Sequence, residues 1–372
     1  MNVAYVYPWD VVGDPSAPER IASLGVDAVA LAASYHSTRA ATPYHPSHRV
    51  LDVPYPAFYL PIRPSSWARL VPAAPTWTSP DAYLQARDAL RAAGLRVHAW
   101  TVLTHNSHLG SANPGLAVRN AFGDAYPYAL CPAHEDVVEY CERLVQEILT
   151  VGEPDALILE ACGPLGFGHQ SVHEKTSGAD WTPADADLLS LCFCAACAPR
   201  YPASTGDVVR AAVDGAPTRG TVEDALGPLA DEIRTIRVAL STSLRERLIT
   251  VARTTAPDVP ITLHANPDPW AAGAFAPLPS GEPGADVLVA NCWGDPATDA
   301  ARLTRLTELA TPDQRVGAYV LALPPRPADA AVLADHLRTY AKAGATEFHL
   351  YHAGLASRER LTALTEALRR ST

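Results

Sequence analysis

Apolar and β-branched runs alternate with amphipathic segments from one end of this chain to the other, the pattern of strands that each hand over to a helix. Eight runs read as strands: 2–9 (NVAYVYPW), 27–36 (DAVALAASYH), 96–105 (RVHAWTVLTH), 155–163 (DALILEACG), 260–268 (PITLHANPD), 286–295 (DVLVANCWGD), 315–325 (RVGAYVLALPP) and 346–354 (TEFHLYHAG). Between them stand helix candidates such as PDAYLQARDALRAAG, DVVEYCERLVQEILTVG and PADAAVLADHLRTYAKAG, several opened by Pro or Ser and several closed by Gly. This alternation predicts an α/β fold, a closed (β/α)8 TIM barrel; no G-x-G-x-x-G follows the first strand to suggest an open dinucleotide-binding sheet. The long connections 37–80, 106–134 and 164–230 follow strands 2, 3 and 4, at the strand ends where barrels build their sites. One barrel over 1–372 is expected, with an insertion near 164–230.

Side chains alternate along a strand, so each run divides into a face toward the barrel axis and a face toward the helices. A carboxylate has no place against the helix layer, which turns Glu160 inward together with Ile158 and Cys162. The same division turns inward Tyr5, Tyr7 and Trp9 from strand 1, Ser34 and His36 from strand 2, and His98, Trp100 and Thr104 from strand 3. Strand 5 contributes His264, Asn266 and Asp268, strand 6 Asn291, Trp293 and Asp295, strand 7 Tyr319, and strand 8 His349 and Tyr351. Barrel centres are ordinarily packed with Val, Ile and Leu, so this polar and aromatic lining calls for a reason. A sugar-like ligand supplies one, with aromatic rings against its C–H faces and His, Asn and carboxylate groups on its hydroxyls.

Composition narrows the partners. The formal net charge is -11 and no basic stripe for nucleic acid appears; Lys175 and Lys342 are the only lysines, so arginine supplies almost all the positive charge. No apolar stretch reaches the ~18 residues of a membrane span, and the strand-like start lacks the charged and apolar regions of a signal peptide. With seven cysteines, an odd number, the expectation is a reducing cytoplasm, a small carbohydrate as substrate, no nucleic-acid or membrane partner and no organic cofactor; self-association is left open.

Three of those cysteines form C-x-C-x-x-C: Cys192, Cys194 and Cys197 in LCFCAAC. That spacing lets three sulfurs converge on a tetrahedral zinc, with Cys131 of ALCPAHEDVVEY or else Cys162 as a fourth ligand. Four thiolates close the coordination shell, so such a zinc is structural. Cys141 and Cys292 read as core residues.

Glu160, at the end of strand 4 and followed by the polar loop GPLGFGHQSVHEKTSG, is the candidate general acid or base. His169, His173 and Glu174 of that loop are candidates for contact with the ligand, and His36, His105 and His264 read as hydrogen-bonding groups for it. Tyr7, Trp9, Trp100, Asn266, Asn291, Trp293, Tyr319 and Tyr351 complete the expected binding set. Glycoside hydrolysis usually uses two carboxyl groups, and Asp268 and Asp295 are the available partners, although both precede proline and suit turn caps equally well.

The order L-C-P before a long helix, a strand ending in Glu160 and then C-F-C-x-x-C resembles family 42 β-galactosidases and related glycosyl-hydrolase-like barrels, over roughly residues 96–200. The resemblance implies a structural zinc on Cys131, Cys192, Cys194 and Cys197, and a catalytic acid/base at Glu160. Two positions depart from it: strand 7 has no glutamate where that family carries its nucleophile, and Leu159 stands where it has asparagine. The expected function is a glycoside hydrolase-like enzyme acting on a small sugar or glycoside. A sugar isomerase, epimerase or lyase, and a carbohydrate-binding barrel without catalysis, are the alternatives.

Overall fold

A computed structural model describes residues 1–169, 174–215 and 220–371. Eight parallel strands pair in chain order and close on themselves: β1 (Asn2–Val6), β2 (Ala28–Tyr35), β3 (Arg96–Val102), β4 (Ala156–Glu160), β5 (Ile261–Asn266), β6 (Val287–Cys292), β7 (Arg315–Leu321) and β8 (Glu347–Tyr351). β8 returns to β1 through Val3 opposite His349, and β1 pairs β2 through Tyr5 opposite Ala30. The expected (β/α)8 barrel is the fold observed. Its strands were readable because parallel strands covered on both faces must be apolar almost throughout, as in β2, where all eight residues are buried and only Ser34 and the Tyr35 hydroxyl are polar.

Among the described residues, seven helices cover the barrel after its strands: α1 (Ala17–Ala22), α2 (Ala82–Ala92), α3 (Glu135–Glu147), α4 (Ala230–Thr255), α5 (Pro296–Leu309), α6 (Ala330–Lys342) and α7 (Arg358–Ser371). Each follows one strand except β5. Its connection to β6 is an irregular Pro- and Gly-rich segment from which Ala276–Pro277 pairs beside Ala265 and Asn266. In α3 the residues Val137, Cys141, Leu144 and Val145 recur at helical spacing and are fully buried, so one face seals the barrel. Burying a side chain such as Leu144 contributes about 1.5–3 kcal/mol.

The long connections above the barrel carry structure of their own. After β2, Thr38–Ala41 pairs antiparallel with Val50–Val53; after β3, Ala117–Arg119 pairs with Ala125–Leu130. The β4 connection holds a short helix, Pro183–Leu188, started by a capping box in which Thr182 Oγ1 accepts from the Asp185 amide and Asp185 accepts from the Thr182 amide. No helix among the described residues is long and apolar enough to cross a membrane.

One local irregularity redirects side chains at the site. The β2–β3 register slips between Ala32, opposite Trp100, and Ser34, opposite Thr101. This bulge shifts the alternation by one residue, so Ser34 leaves the inner face on which strict alternation placed it and bonds the Val102 carbonyl through Oγ. Tyr35 turns toward the axis instead, where its hydroxyl meets that of Tyr7 at 3.0 Å.

Candidate active site

A cavity of about 670 Å³ opens at the C-terminal end of the strands, of the size that takes a small ligand. Its wall includes Tyr35, His36, Trp100, His105, Glu160, Asn266, Asp268, Asn291, Trp293, Tyr319 and Tyr351, so about half of the polar and aromatic residues that alternation turned inward converge on it. Trp293 stacks on Tyr319 with ring centroids 5.3 Å apart, and His36 stacks on His105 at 4.2 Å. The wall is thus built of flat faces with polar edges. Asn291 Oδ1 is buried without a partner among the described residues, an acceptor available to a ligand.

Glu160 ends β4 and is only 7% exposed. Trp100 Nε1 donates to its Oε2 at 2.6 Å, and His264 Nδ1 lies 3.3 Å from the same oxygen. Burial pushes this carboxyl up, but the His264 and Trp100 contacts and the nearby His36 outweigh burial and hold it below its ordinary value. Glu160 is therefore an ionised carboxylate. The next residue, Ala161, takes a left-handed backbone with φ of 55°, a conformation costly for a side chain-bearing residue. Its carbonyl accepts from Thr104 Oγ1 at 2.8 Å and its amide donates to the Ala274 carbonyl at 2.9 Å, which fixes the turn that ends the strand beneath the cavity.

Two further carboxyl groups stand on the cavity wall. Asp268 is exposed, and its Oδ1 accepts from the Trp270 amide at 2.9 Å. Asp187, on the Pro183–Leu188 helix, is not among the candidates the sequence offers, because nothing in PADADL distinguishes it from its acidic neighbours. Burial, then the like charge of Asp268, push the Asp187 carboxyl up to about 6, against the opposing pull of Arg237. Arg237 is buried on α4 and donates to the carbonyls of Trp270 at 3.2 Å and Ala271 at 3.0 Å, with the Ser190 carbonyl at 3.5 Å. It thereby joins the segment after Asp187 to the segment after Asp268.

Other expected site residues stand elsewhere. Asp295 is the N-cap of α5: its Oδ1 accepts from the Ala297 and Thr298 amides and from Thr298 Oγ1, and it does not line the cavity. The turn-cap alternative is the geometry observed there, because a side chain before Pro296 is ideally placed to satisfy the free amides of the first turn. Tyr7 and Trp9 are 1% exposed, stack on each other at 4.4 Å and lie off the cavity wall. His264 is fully buried behind Glu160. His173 lies outside the described residues, as do the side chains of His169 and Glu174. Much of the polar lining is thus a hydrogen-bonded core around Tyr5 rather than ligand surface, and His98 is buried apart from the cavity and held at about 4 chiefly by burial, hence neutral.

The cysteines meet as expected. The Sγ atoms of Cys131, Cys192, Cys194 and Cys197 all lie within 4.8 Å of one another, with Cys131 at 3.4 Å from Cys197 and 3.7 Å from both Cys192 and Cys194. A tetrahedral zinc with bonds of about 2.3 Å requires sulfur separations of about 3.8 Å. All four are buried free thiols, so the donor set fits that ion, whereas a disulfide requires about 2.05 Å. Cys162 is buried elsewhere in the core, as are Cys141 and Cys292. The group ties Cys131, just past the Ala125–Leu130 strand, to the β4 connection, five residues beyond Asp187. Phe193 N donates to Arg119 O at 2.6 Å across the same junction.

No protein-family model matches this chain, and no curated protein does. Among solved structures it is similar to the PgaB (BpsB) glycoside hydrolase domain from Bordetella bronchiseptica, at 15% identity and a TM-score of 0.58, over 98% of this chain and 97% of that one. It is also similar to the catalytic domain of β-amylase from Paenibacillus polymyxa, at 12% identity and a TM-score of 0.58, over 99% and 97%. The GH42 β-galactosidase Gan42B from G. stearothermophilus aligns at 10% identity and a TM-score of 0.54, over all of this chain and 56% of its own length. At such identities the likeness is one of fold. This chain has a closed eight-stranded parallel barrel, the fold it shares with these structures.

Proposed function

We propose that this protein is a glycoside hydrolase acting on a small sugar or glycoside in the cavity above the barrel, with Glu160 and Asp187 as its two catalytic carboxyl groups. The observation that carries the reading is the opposed state of the two: Glu160 is held ionised by Trp100 and His264, while Asp187 is pushed up to about 6. Two carboxyls driven apart in this way are suited to divide the base and acid roles.

Asp187, as the protonated acid, delivers its proton to the glycosidic oxygen as the bond from that oxygen to the anomeric carbon breaks. Glu160, as the carboxylate, either attacks the anomeric carbon or takes a proton from the water that does. Burial first, and then the like charge of Asp268, raise the Asp187 carboxyl toward the protonated form. Trp293, Tyr319 and Tyr351 offer ring faces to the sugar, and His36, His105 and Asn291 offer polar contacts to its hydroxyls. The four-cysteine centre, filled by a structural zinc, anchors the segment that carries Asp187. This assigns Glu160 the base or nucleophile role and gives the acid role, which the family 42 resemblance places on Glu160, to Asp187.

The test is turnover of a glycoside panel with reducing-end analysis of the products. Hydrolysis predicts one new reducing end per bond cleaved, lost in Glu160→Gln and Asp187→Asn proteins of unchanged circular dichroism. An isomerised or eliminated product, or binding with no turnover on any glycoside, would overturn it.

A further inference from the structure

Behind Glu160 a file of buried polar side chains crosses the barrel from its C-terminal to its N-terminal end. Glu160 Oε2 lies 3.3 Å from His264 Nδ1, and His264 Nε2 is 3.0 Å from the Tyr5 hydroxyl. That hydroxyl is 3.0 Å from His349 Nδ1, whose ring Nε2 lies 3.5 Å from Glu347 Oε2. Glu347 opens β8 and Glu160 closes β4, so the file joins opposite ends of the barrel. The inner contacts have hydrogen-bond geometry and the two outer ones are looser ion-pair contacts, but the outer ring nitrogens have no other partner among the described residues. Space for the His349 ring comes from Gly317 on β7, where a Cβ would stand 3.2 Å from His349 Cδ2.

Two neutral imidazoles and one phenol bring three protons to these four contacts, so one of the two longer outer contacts is left without a proton. A fourth proton would complete it and make one imidazole an imidazolium. Charge agrees with a fourth proton: two carboxylates are balanced by that imidazolium and by Arg315, whose Nη1 pairs with Glu347 Oε1 at 2.5 Å. Burial keeps the Tyr5 phenol protonated, and the same holds for Tyr35, Tyr319 and Tyr351 around Glu160. Burial holds the His349 ring below its ordinary value against the opposing pull of Glu347, and His98 beside it is neutral; the other charged or titratable groups acting on these residues are Arg96, Asp155 and the Met1 ammonium at the lower end and His36 at the upper end.

We propose that Tyr5 relays one shared proton between His264 and His349, so that a single imidazolium moves along the barrel axis and sets the basicity of Glu160 from behind. With the extra proton on His264, its Nδ1–H faces Glu160, its Nε2–H donates to the Tyr5 oxygen, and the Tyr5 O–H donates to His349 Nδ1. Transfer moves the His264 Nε2 proton to the Tyr5 oxygen while the Tyr5 proton passes to His349 Nδ1. No proton enters or leaves, and only the imidazolium charge has moved, away from Glu160. Tyr5, His264, His349 and Glu347 are positioning residues in this scheme, which rests on Glu160 being the catalytic carboxylate.

The experiment is ring-nitrogen NMR of 15N-histidine protein without substrate, with His264 and His349 assigned by loss of signal in His264→Gln and His349→Gln. The two rings should titrate with common midpoints, as members of one coupled pair, and their protonated fractions should sum to one over the plateau. In Tyr5→Phe the midpoints should separate. Independent midpoints in the wild type that Tyr5→Phe leaves in place would overturn the relay. Should Tyr5→Phe fail to fold, Arg315→Met acts from a half-exposed position: it should draw the imidazolium toward Glu347, raising the His349 fraction at the expense of His264, and an unmoved His264 would overturn the relay. Because the signal needs no turnover, a protein that cleaves no glycoside still tests the relay, and an active enzyme with independent rings refutes the relay alone.

Discussion

Replacing Cys194 by serine removes one of four sulfurs that join the β3 and β4 connections, and its cost can be worked from the structure. Cys131 and Cys197 are 66 residues apart, so a metal joining them closes a loop of that length. The chain-entropy relation for a cross-link of this span gives about 4 kcal/mol of stabilisation, all of it forfeited if serine abolishes the metal. Unfolding entropy for a chain of this size is of order 0.8 kcal/mol per kelvin, so the melting temperature should fall by about 5 °C. Metal analysis of the purified protein should find about one zinc per chain in the wild type and a large loss in Cys194→Ser. Since the anchored segment carries Asp187, hydrolysis should fall with the metal. Wild-type protein that is free of metal after gentle purification, or a serine variant that melts with the wild type, would refute the reasoning.

Other outcomes follow from single residues. Activity should decline as pH rises through about 6, where Asp187 loses the proton it donates; Asp268→Asn removes the like charge, lowers the Asp187 carboxyl and should move that decline to lower pH, read from a kcat/KM profile. A profile unmoved by Asp268→Asn would separate the two groups. Buried Asp10 is pushed up to about 7 chiefly by burial, above its unfolded value near 3.8, so its ionisation costs stability as pH rises between those values. Asp10→Asn should therefore stabilise at pH 8 more than at pH 4, by up to about 4 kcal/mol in thermal or urea melts, and an equal effect at both would contradict the assignment. Gly317→Ala places a Cβ 2.9 Å from Val289 Cγ2 and 3.2 Å from His349 Cδ2, both on packed barrel strands, and should cost about 1–3 kcal/mol in urea melts.

The barrel was legible because two physical constraints leave plain marks in a sequence. Strands covered on both faces run apolar, and helices over them bury one face, so the sequence pattern alone marks all eight strands and the helices that follow them. Glu160 was legible for the same reason, as the carboxylate inside the apolar run that follows Asp155 in DALILEACG, which only the axis can accommodate. The cysteines declared themselves by spacing. Tyr35 was not legible, since a bulge shifts the alternation by one residue and nothing local announces it. Asp187 was hidden more deeply. It resembles Asp185, two residues earlier, which caps a helix; only the fold brings Asp187 beside Asp268 at the cavity. Asp295 and Asp268 share the Asp-Pro context, and whether the segment beyond begins a helix separates the cap from the cavity residue.

The central claim is that Glu160 and Asp187 together cleave a glycosidic bond, and proton NMR of a turning-over glycoside tests it most directly. The account predicts the anomeric signal of a newly released hemiacetal, its first-formed anomer reporting whether Glu160 attacks carbon or activates water, and its loss by a factor of about 10²–10⁴ in both Glu160→Gln and Asp187→Asn. Hydrolysis that survives either substitution at the wild-type rate, or a product whose anomeric carbon was never freed, would contradict it.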